Sequence, residues 1–256
     1  MFIDSHTHLY FDDYQNDIED VMARCLKNNV QKCVIAGVSN ETIVPIIELC
    51  KQFPNICYPC IGLHPTDVKE NYLEELKIIE DELQKRKYYA VGETGLDYFW
   101  DKTFEKEQKD AFVQQILLAQ KYNLPLIIHS RDAFEDTVDI LEPRVKSQKP
   151  RQGVFHCFSG TVEQAKKVVE MGFYIGIGGV VTFKKNQLVD VVKEIDLQYI
   201  LLETDAPFLA PVPYRGQRNE SSYIPIIAQK VAEIKGICIE EVTKITTSNS
   251  ENCFKF

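Results

Sequence analysis

Residues 124–133 read LPLIIHSRDA. An apolar run, Leu124 to Ile128, is followed at once by His129, and from Ala133 to Lys146 apolar residues return at helical spacing. This is one strand, a short polar loop and one helix, with a histidine at the strand's C-terminal end. The same unit recurs along the chain. Strands are expected near Phe2–Asp4, Lys32–Ala36, Cys57–Leu63, Tyr88–Gly92, Leu124–Ile128, Gly153–Phe155, Phe173–Gly176 and Tyr199–Leu202. Helical patterns cover Asp17–Asn28, Thr42–Gln52, Leu73–Lys87, Glu105–Tyr122, Ala133–Lys146, Val162–Met171 and Gln187–Glu194, and a last one follows Tyr223. Eight units in 256 residues average about 32 residues each, the size of a βα repeat with its loops. The rhythm predicts an α/β fold, a TIM-like (β/α)8 barrel formed by residues 1–256 as one domain. The longest irregular stretch, Ala206 to Ser222, holds Pro207, Pro211 and Pro213 and follows the last strand, which marks it as a functional loop rather than a linker.

Composition narrows the function classes. With 45% hydrophobic and 26% charged residues the chain is of the soluble globular kind, and no apolar run approaches the roughly 20 residues of a membrane span. The opening MFIDSHTHL reads as the first strand rather than as a leader, so a cytoplasmic location is expected. Eight scattered cysteines then read as reduced thiols, and Cys57 and Cys60, a CxxC inside a strand pattern, as packing. A net charge of -9 argues against a protein that coats nucleic acid non-specifically, though bound cations could still supply a positive field locally.

All five histidines stand at or just after the end of a strand-like run: His6 and His8 in FIDSHTH, His64 after YPCIGL, His129 after LPLII and His156 after GVF. Glu93 ends YYAVGE and Asp205 ends YILLETD. In a parallel barrel the C-terminal ends of all strands open on one face, so these seven groups are expected to converge. His6 and His8, two apart on a strand, face the same way and can share a cation. Any one of these histidines is more often a hydrogen-bonded core or surface residue, but that reading must be invoked five times at one register. Imidazoles with carboxylates suit Zn²⁺, Mn²⁺ or Mg²⁺. Two divalent ions are expected, with Glu93 bridging, His6, His8 and Asp205 on one and His129 and His156 on the other.

The segments DSHTHL (4–9), GLHPT (62–66), VGETGLDY (91–98), IIHSRDA (127–133), HCFSG (156–160) and LETDAPFLAP (202–211) together resemble the TatD deoxyribonuclease family, in the family's order. YRGQRNES at 214–221 is similar to the family's RG-x-x-N-E stretch, with Ser221 where proline is common. The resemblance implies a barrel of the metallo-dependent hydrolase type and metal-dependent hydrolysis of DNA, often from the 3′ end of single strands. It implies His6, His8, Glu93, His129, His156 and Asp205 as metal ligands, the set already reached from the strand ends.

For a phosphodiesterase, cation-activated water is the expected nucleophile, alongside catalytic roles for His64, Glu93, Glu203 and Asp205. His64 is a donor to the scissile phosphate or leaving oxygen, with a spare metal ligand as its rival role. Glu203, two before Asp205, is an orienting or proton-accepting group beneath the site, with burial as the rival. Arg131 and Arg215 are the basic residues expected on the DNA substrate, ahead of Lys184, Lys185 and Arg218. Tyr98, Phe99 and Trp100 either stack bases or pack their loop. Gly176, Gly178 and Gly179 have the wrong spacing for a dinucleotide fingerprint and read as close packing. Two other functions compete: an amide or ester hydrolase such as a D-aminoacyl-tRNA deacylase, and a non-catalytic metal-containing scaffold, which would be expected to have lost a ligand. The oligomeric state stays open, a monomer included.

Overall fold

The computed structural model describes residues 1–145 and 152–256; Lys146, the expected end of the fifth helix, lies outside them. Among the described residues eight parallel strands, β1 (Phe2–Thr7), β2 (Val30–Ile35), β3 (Cys57–Pro59), β4 (Val91–Asp97), β5 (Leu126–Arg131), β6 (Gly153–Phe155), β7 (Tyr174–Ile177) and β8 (Ile200–Leu202), follow one another in space as in sequence. Two ladders, β1 to β3 and β4 to β8, are joined by bridges between Ile61 and Val91 and between Thr7 and Ala206. Gly92 N–H donates to the Ile61 carbonyl at 2.8 Å and Asp205 N–H to that of His6 at 3.0 Å, so the sheet closes on itself. The helices are α1 (Ile18–Lys27), α2 (Ile43–Gln52), α3 (Tyr72–Lys85), α4 (Glu105–Tyr122), α5 (Phe134–Leu141), α6 (Val162–Glu170), α7 (Leu188–Glu194), α8 (Ile224–Lys235) and α9 (Ile239–Phe254).

The strand period of two sorts side chains into two cores. Outward Cys33, Ile35, Ile128, Phe155, Ile175, Ile200 and Leu202 pack under the helices. Inward Val34, Ile127, Val154, Tyr174 and Leu201 fill the floor of the barrel with Cys60 and Ala90, and Cys253 and Phe254 of α9 cap them. Each fully buried large apolar side chain of this kind contributes about 1.5–3 kcal/mol. One step further along the same inward rows stand His129 after Ile127, His156 after Val154 and Glu203 after Leu201. The polar groups therefore lie at the mouth because the apolar ones have filled the floor.

Three expectations need correction. β4 is not Tyr88–Gly92 but begins at Val91 and runs on to Asp97, so Glu93 lies inside a strand. Gly95, at φ 137°, lets the strand press against β5 where any Cβ would overlap the His129 carbonyl. α5 stops at Leu141, two residues before Pro143, whose ring nitrogen has no N–H to carry the helical ladder on. The single helix expected after Tyr223 is two, since Gly236 takes φ 68° and ends α8.

Candidate metal centre

Glu93 sits at the middle of the mouth with a group of partners on each carboxylate oxygen. Its Oε2 is 3.3 Å from His6 Nε2 and 3.5 Å from His8 Nε2. Its Oε1 is 3.2 Å from His64 Nε2, 3.0 Å from His129 Nδ1 and 2.6 Å from His156 Nε2. Asp205 Oδ1 closes the first group, 3.5 Å from His6 Nε2 and 3.6 Å from His8 Nε2. The seven groups expected to converge do so, drawn from β1, β4, β5 and the loops after β3, β6 and β8.

The outer hydrogen bonds fix where the ring protons lie. His8 Nδ1 meets the Ala36 carbonyl at 3.1 Å, which can only accept, so His8 presents a lone pair from Nε2. His129 Nε2 donates to Asp97 Oδ2 at 2.8 Å, so its neutral ring turns a Nδ1 lone pair toward Glu93 Oε1 and toward His156 Nε2, 3.3 Å away. His6 Nε2 and His8 Nε2 are 3.1 Å apart, beside two carboxylate oxygens. Electron-rich atoms outnumber the protons available to separate them, and nitrogen and oxygen donors in this mixture suit a divalent cation. The donor set fits the metal expected from the sequence.

His64 differs. Thr66 N–H donates to its Nδ1 at 3.2 Å, so the neutral ring carries its proton on Nε2, facing the mouth. Thr66, which carried no role in the sequence, thus makes His64 a better donor than ligand.

The field inside the mouth is set by burial and by the crowding of these groups. Burial would push the Glu93 carboxyl up, but His156, His64 and His6 hold it well below the usual carboxylate range. Asp205 is likewise lowered, burial being outweighed by the neighbouring imidazoles of His8, His6 and His156. His6 is pushed down to about 4, by burial and then by His156. His129 goes the other way, to about 9, because Asp97 and Glu93 overcome burial, so its ring also holds a proton on Nδ1, the one a bound cation would displace to reach the neutral form. Anionic carboxylates beside a neutral His6 form a site that attracts cations.

Several supporting residues were missed. Asp97 is one; its distance of four from Glu93 on a strand places both on one face, a signal the sequence offered. Asp4 ties β1 to the segment after β8: Thr204 N–H and hydroxyl donate to its Oδ1 and Oδ2 at 3.0 and 2.5 Å. From α4, Gln115 clamps Leu63, accepting from its N–H at 2.8 Å and donating to its carbonyl at 3.0 Å, while Gln108 accepts from Asp97 N–H at 3.1 Å. Glutamines on a long helix are usually solvent-facing, yet these two, seven apart on one face, are buried and hold the backbone beside His64 and His129.

Glu203 is fully buried below the mouth; its Oε1 accepts from Cys157 N–H and its carboxyl is held well above the usual range by burial. Gly176 exists for it, since a Cβ there would overlap the Glu203 carboxylate. Arg131 lines the cavity of about 800 Å³ over the site, with Trp100, Phe11 and Phe208. Arg215 lies on the loop after β8, its guanidinium 4.5 Å from the Phe183 ring and outside that lining. Lys184 and Lys185 are exposed. Arg218 is committed to Asp17, at 2.8 and 2.6 Å, and Asn219 donates to the Thr204 and Phe208 carbonyls at 2.8 and 2.6 Å. The segment 214–221 therefore anchors the Asp205 loop.

A closed parallel barrel whose C-terminal mouth gathers histidines and carboxylates around one glutamate is the build of a metal-dependent hydrolase. Known proteins agree. Residues 3–255 match the family model described as TatD related DNase. The uncharacterized metal-dependent hydrolase YabD of Bacillus subtilis is 41% identical over 256 residues, covering 100% of this chain and 99% of its own. The crystal structure of YjjV, a TatD homologue from Escherichia coli K12, superposes with a TM-score of 0.93 at 30% identity, over 100% of this chain and 98% of that one. A mouse protein provisionally named a deoxyribonuclease is 32% identical, over 98% of this chain and 87% of its own. The chain belongs to the TatD family and is a metal-dependent hydrolase.

Proposed function

We propose that this chain is a deoxyribonuclease that removes nucleotides from the 3′ end of single-stranded DNA, with two divalent cations at the barrel mouth and residues 1–256 working as one domain. The observation that carries the reading is Glu93 with separate histidine groups on its two oxygens. His6, His8 and Asp205 would hold one ion and His129 and His156 the other, with Glu93 as the carboxylate common to both groups; Mg²⁺, Mn²⁺ and Zn²⁺ all suit these donors. When bound, the cations lower the pKa of water and neutralise charge growing on the phosphoryl oxygens. His64 Nε2–H, set by Thr66, donates to the leaving oxygen. Glu203 orients the His156–Cys157 turn from below, Asp205 helps bind and orient water, and Arg131 and, farther out, Arg215 take phosphates of the strand. The family's description as DNases and the mouse relative's name support the choice of substrate. Eight cysteines outside any disulfide fit a reducing cytoplasm.

The test incubates end-labelled single-stranded DNA, RNA and an aminoacyl-tRNA with chelator-stripped protein resupplied with Mg²⁺, Mn²⁺ or Zn²⁺, beside Glu93→Gln. Metal-dependent shortening of DNA from the 3′ end, lost in the variant, is expected. Deacylation of the tRNA with intact DNA under every metal would replace this reading by the amide and ester one, and cleavage equal in the variant would place the activity elsewhere.

A further inference from the structure

The aromatic triplet after β4 divides in two. Tyr98 is half-buried and its hydroxyl donates to Asp136 Oδ2 at 2.7 Å, so it packs the loop. Phe99 and Trp100 are 52% and 68% exposed, with ring centroids 5.0 Å apart and planes nearly perpendicular. A packing role would have buried them. Their turn is nevertheless fixed, because Asp97 Oδ1 accepts from the N–H groups of both Phe99 and Trp100, at 2.9 and 3.0 Å. The Arg131 guanidinium lies 3.9 Å from the Phe99 ring centroid and 5.3 Å from that of Trp100, and it is ion-paired with no carboxylate among the described residues. In a chain of net charge -9, an unpaired arginine beside two exposed rings is a combination that a base and a phosphate would satisfy together. Trp100 and Arg131 line the same cavity as Glu93, His64 and His129.

Resting on the nucleic-acid reading above, we propose that Phe99, Trp100 and Arg131 form a one-nucleotide subsite at the lip of the metal cleft. An unpaired base stacks on the Trp100–Phe99 corner and Arg131 takes the adjoining phosphate. Bases within a duplex already stack on one another and offer no free face, so the subsite selects single strands.

Trp100 is the one tryptophan of the chain, and its emission reports the subsite directly. Phosphorothioate-linked oligothymidylate, an abasic strand of equal length and a duplex are titrated into the metal-loaded protein, with binding followed separately by anisotropy of a labelled strand. The oligothymidylate is expected to quench Trp100, and the abasic strand and the duplex to leave it unchanged. Trp100→Leu should bind oligothymidylate roughly ten-fold more weakly, and Arg131→Gln should lower the salt dependence of binding by about one phosphate contact. Saturation by anisotropy with unchanged emission, or equal quenching by the abasic strand, overturns the subsite. If ordinary single strands are hydrolysed while emission stays unchanged, the subsite alone fails; quenching by a strand that no metal allows to be hydrolysed keeps the subsite and removes the nuclease reading.

Discussion

Replacing Asp97 by Asn should empty or weaken the half of the site built on His129 without disturbing the barrel. Asp97 uses both oxygens: Oδ2 accepts from His129 Nε2 at 2.8 Å, and Oδ1 accepts from two backbone N–H groups at 2.9 and 3.0 Å. An amide of the same shape has one acceptor. With its NH₂ toward His129, donor faces donor, and the imidazole answers by moving its proton to Nδ1, which removes the lone pair now directed at Glu93 Oε1 and His156 Nε2. A flipped amide sets its NH₂ against the two backbone donors instead, so neither orientation serves both sides. Loss of a carboxylate behind a ligand histidine typically costs 10–100-fold in metal affinity or activity, about 1.4–2.7 kcal/mol. Equilibrium dialysis against Zn²⁺ or Mn²⁺ measures the affinity, and ¹⁵N chemical shifts of the His129 ring report the tautomer. An Asp97→Asn protein that binds metal within two-fold of the parent and keeps its proton on Nε2 would refute the reasoning.

Three further outcomes follow from the same geometry. Gln115→Leu leaves the buried N–H and carbonyl of Leu63 unpaired and should lower stability by about 2–5 kcal/mol in urea unfolding. The Asp17 carboxyl is held below its usual range by the bonds from Arg218. A lowered folded value stabilises above the unfolded value near 3.8 and is lost as pH falls through the folded one. Asp17→Asn should therefore destabilise by roughly 0.5–1 kcal/mol at neutral pH, as expected of a half-buried, two-pronged ion pair near the surface, and by progressively less in acid, read by denaturation at several pH values. Stripping metal with chelator and returning it at a hundred times its dissociation constant should restore about 2.7 kcal/mol, a rise of roughly 5–10 °C in melting temperature that Glu93→Gln should lack.

The architecture was legible because short apolar runs alternating with helical patterns leave little else to build, and each histidine of the mouth stood beside its run. What escaped had the chemistry of one structure and the composition of another. The fourth strand was expected to end at Gly92, yet Gly92 and Gly95 let β4 lie against β5 and run on with Glu93 and Asp97 facing inward. Gln108 and Gln115 drew no reading from the sequence, and only tertiary contact shows them pinning loop backbone. Arg131 stood out from Arg218 in the sequence only by its place two residues after His129. Asp17 neutralises Arg218, while Arg131 is left to whatever enters the mouth; only the spatial arrangement reveals the difference.

Closure between Thr7 and Ala206 has a consequence for the nascent chain. At a synthesis rate of roughly 5–20 residues per second, on the order of 10–40 seconds separate the emergence of the first strand from that of its second neighbour. Throughout that interval β1 carries an unsatisfied edge, the kind of surface that recruits foreign strands. His6 waits equally long for Asp205, so the ribosome delivers the barrel's cation pocket only as the ring shuts.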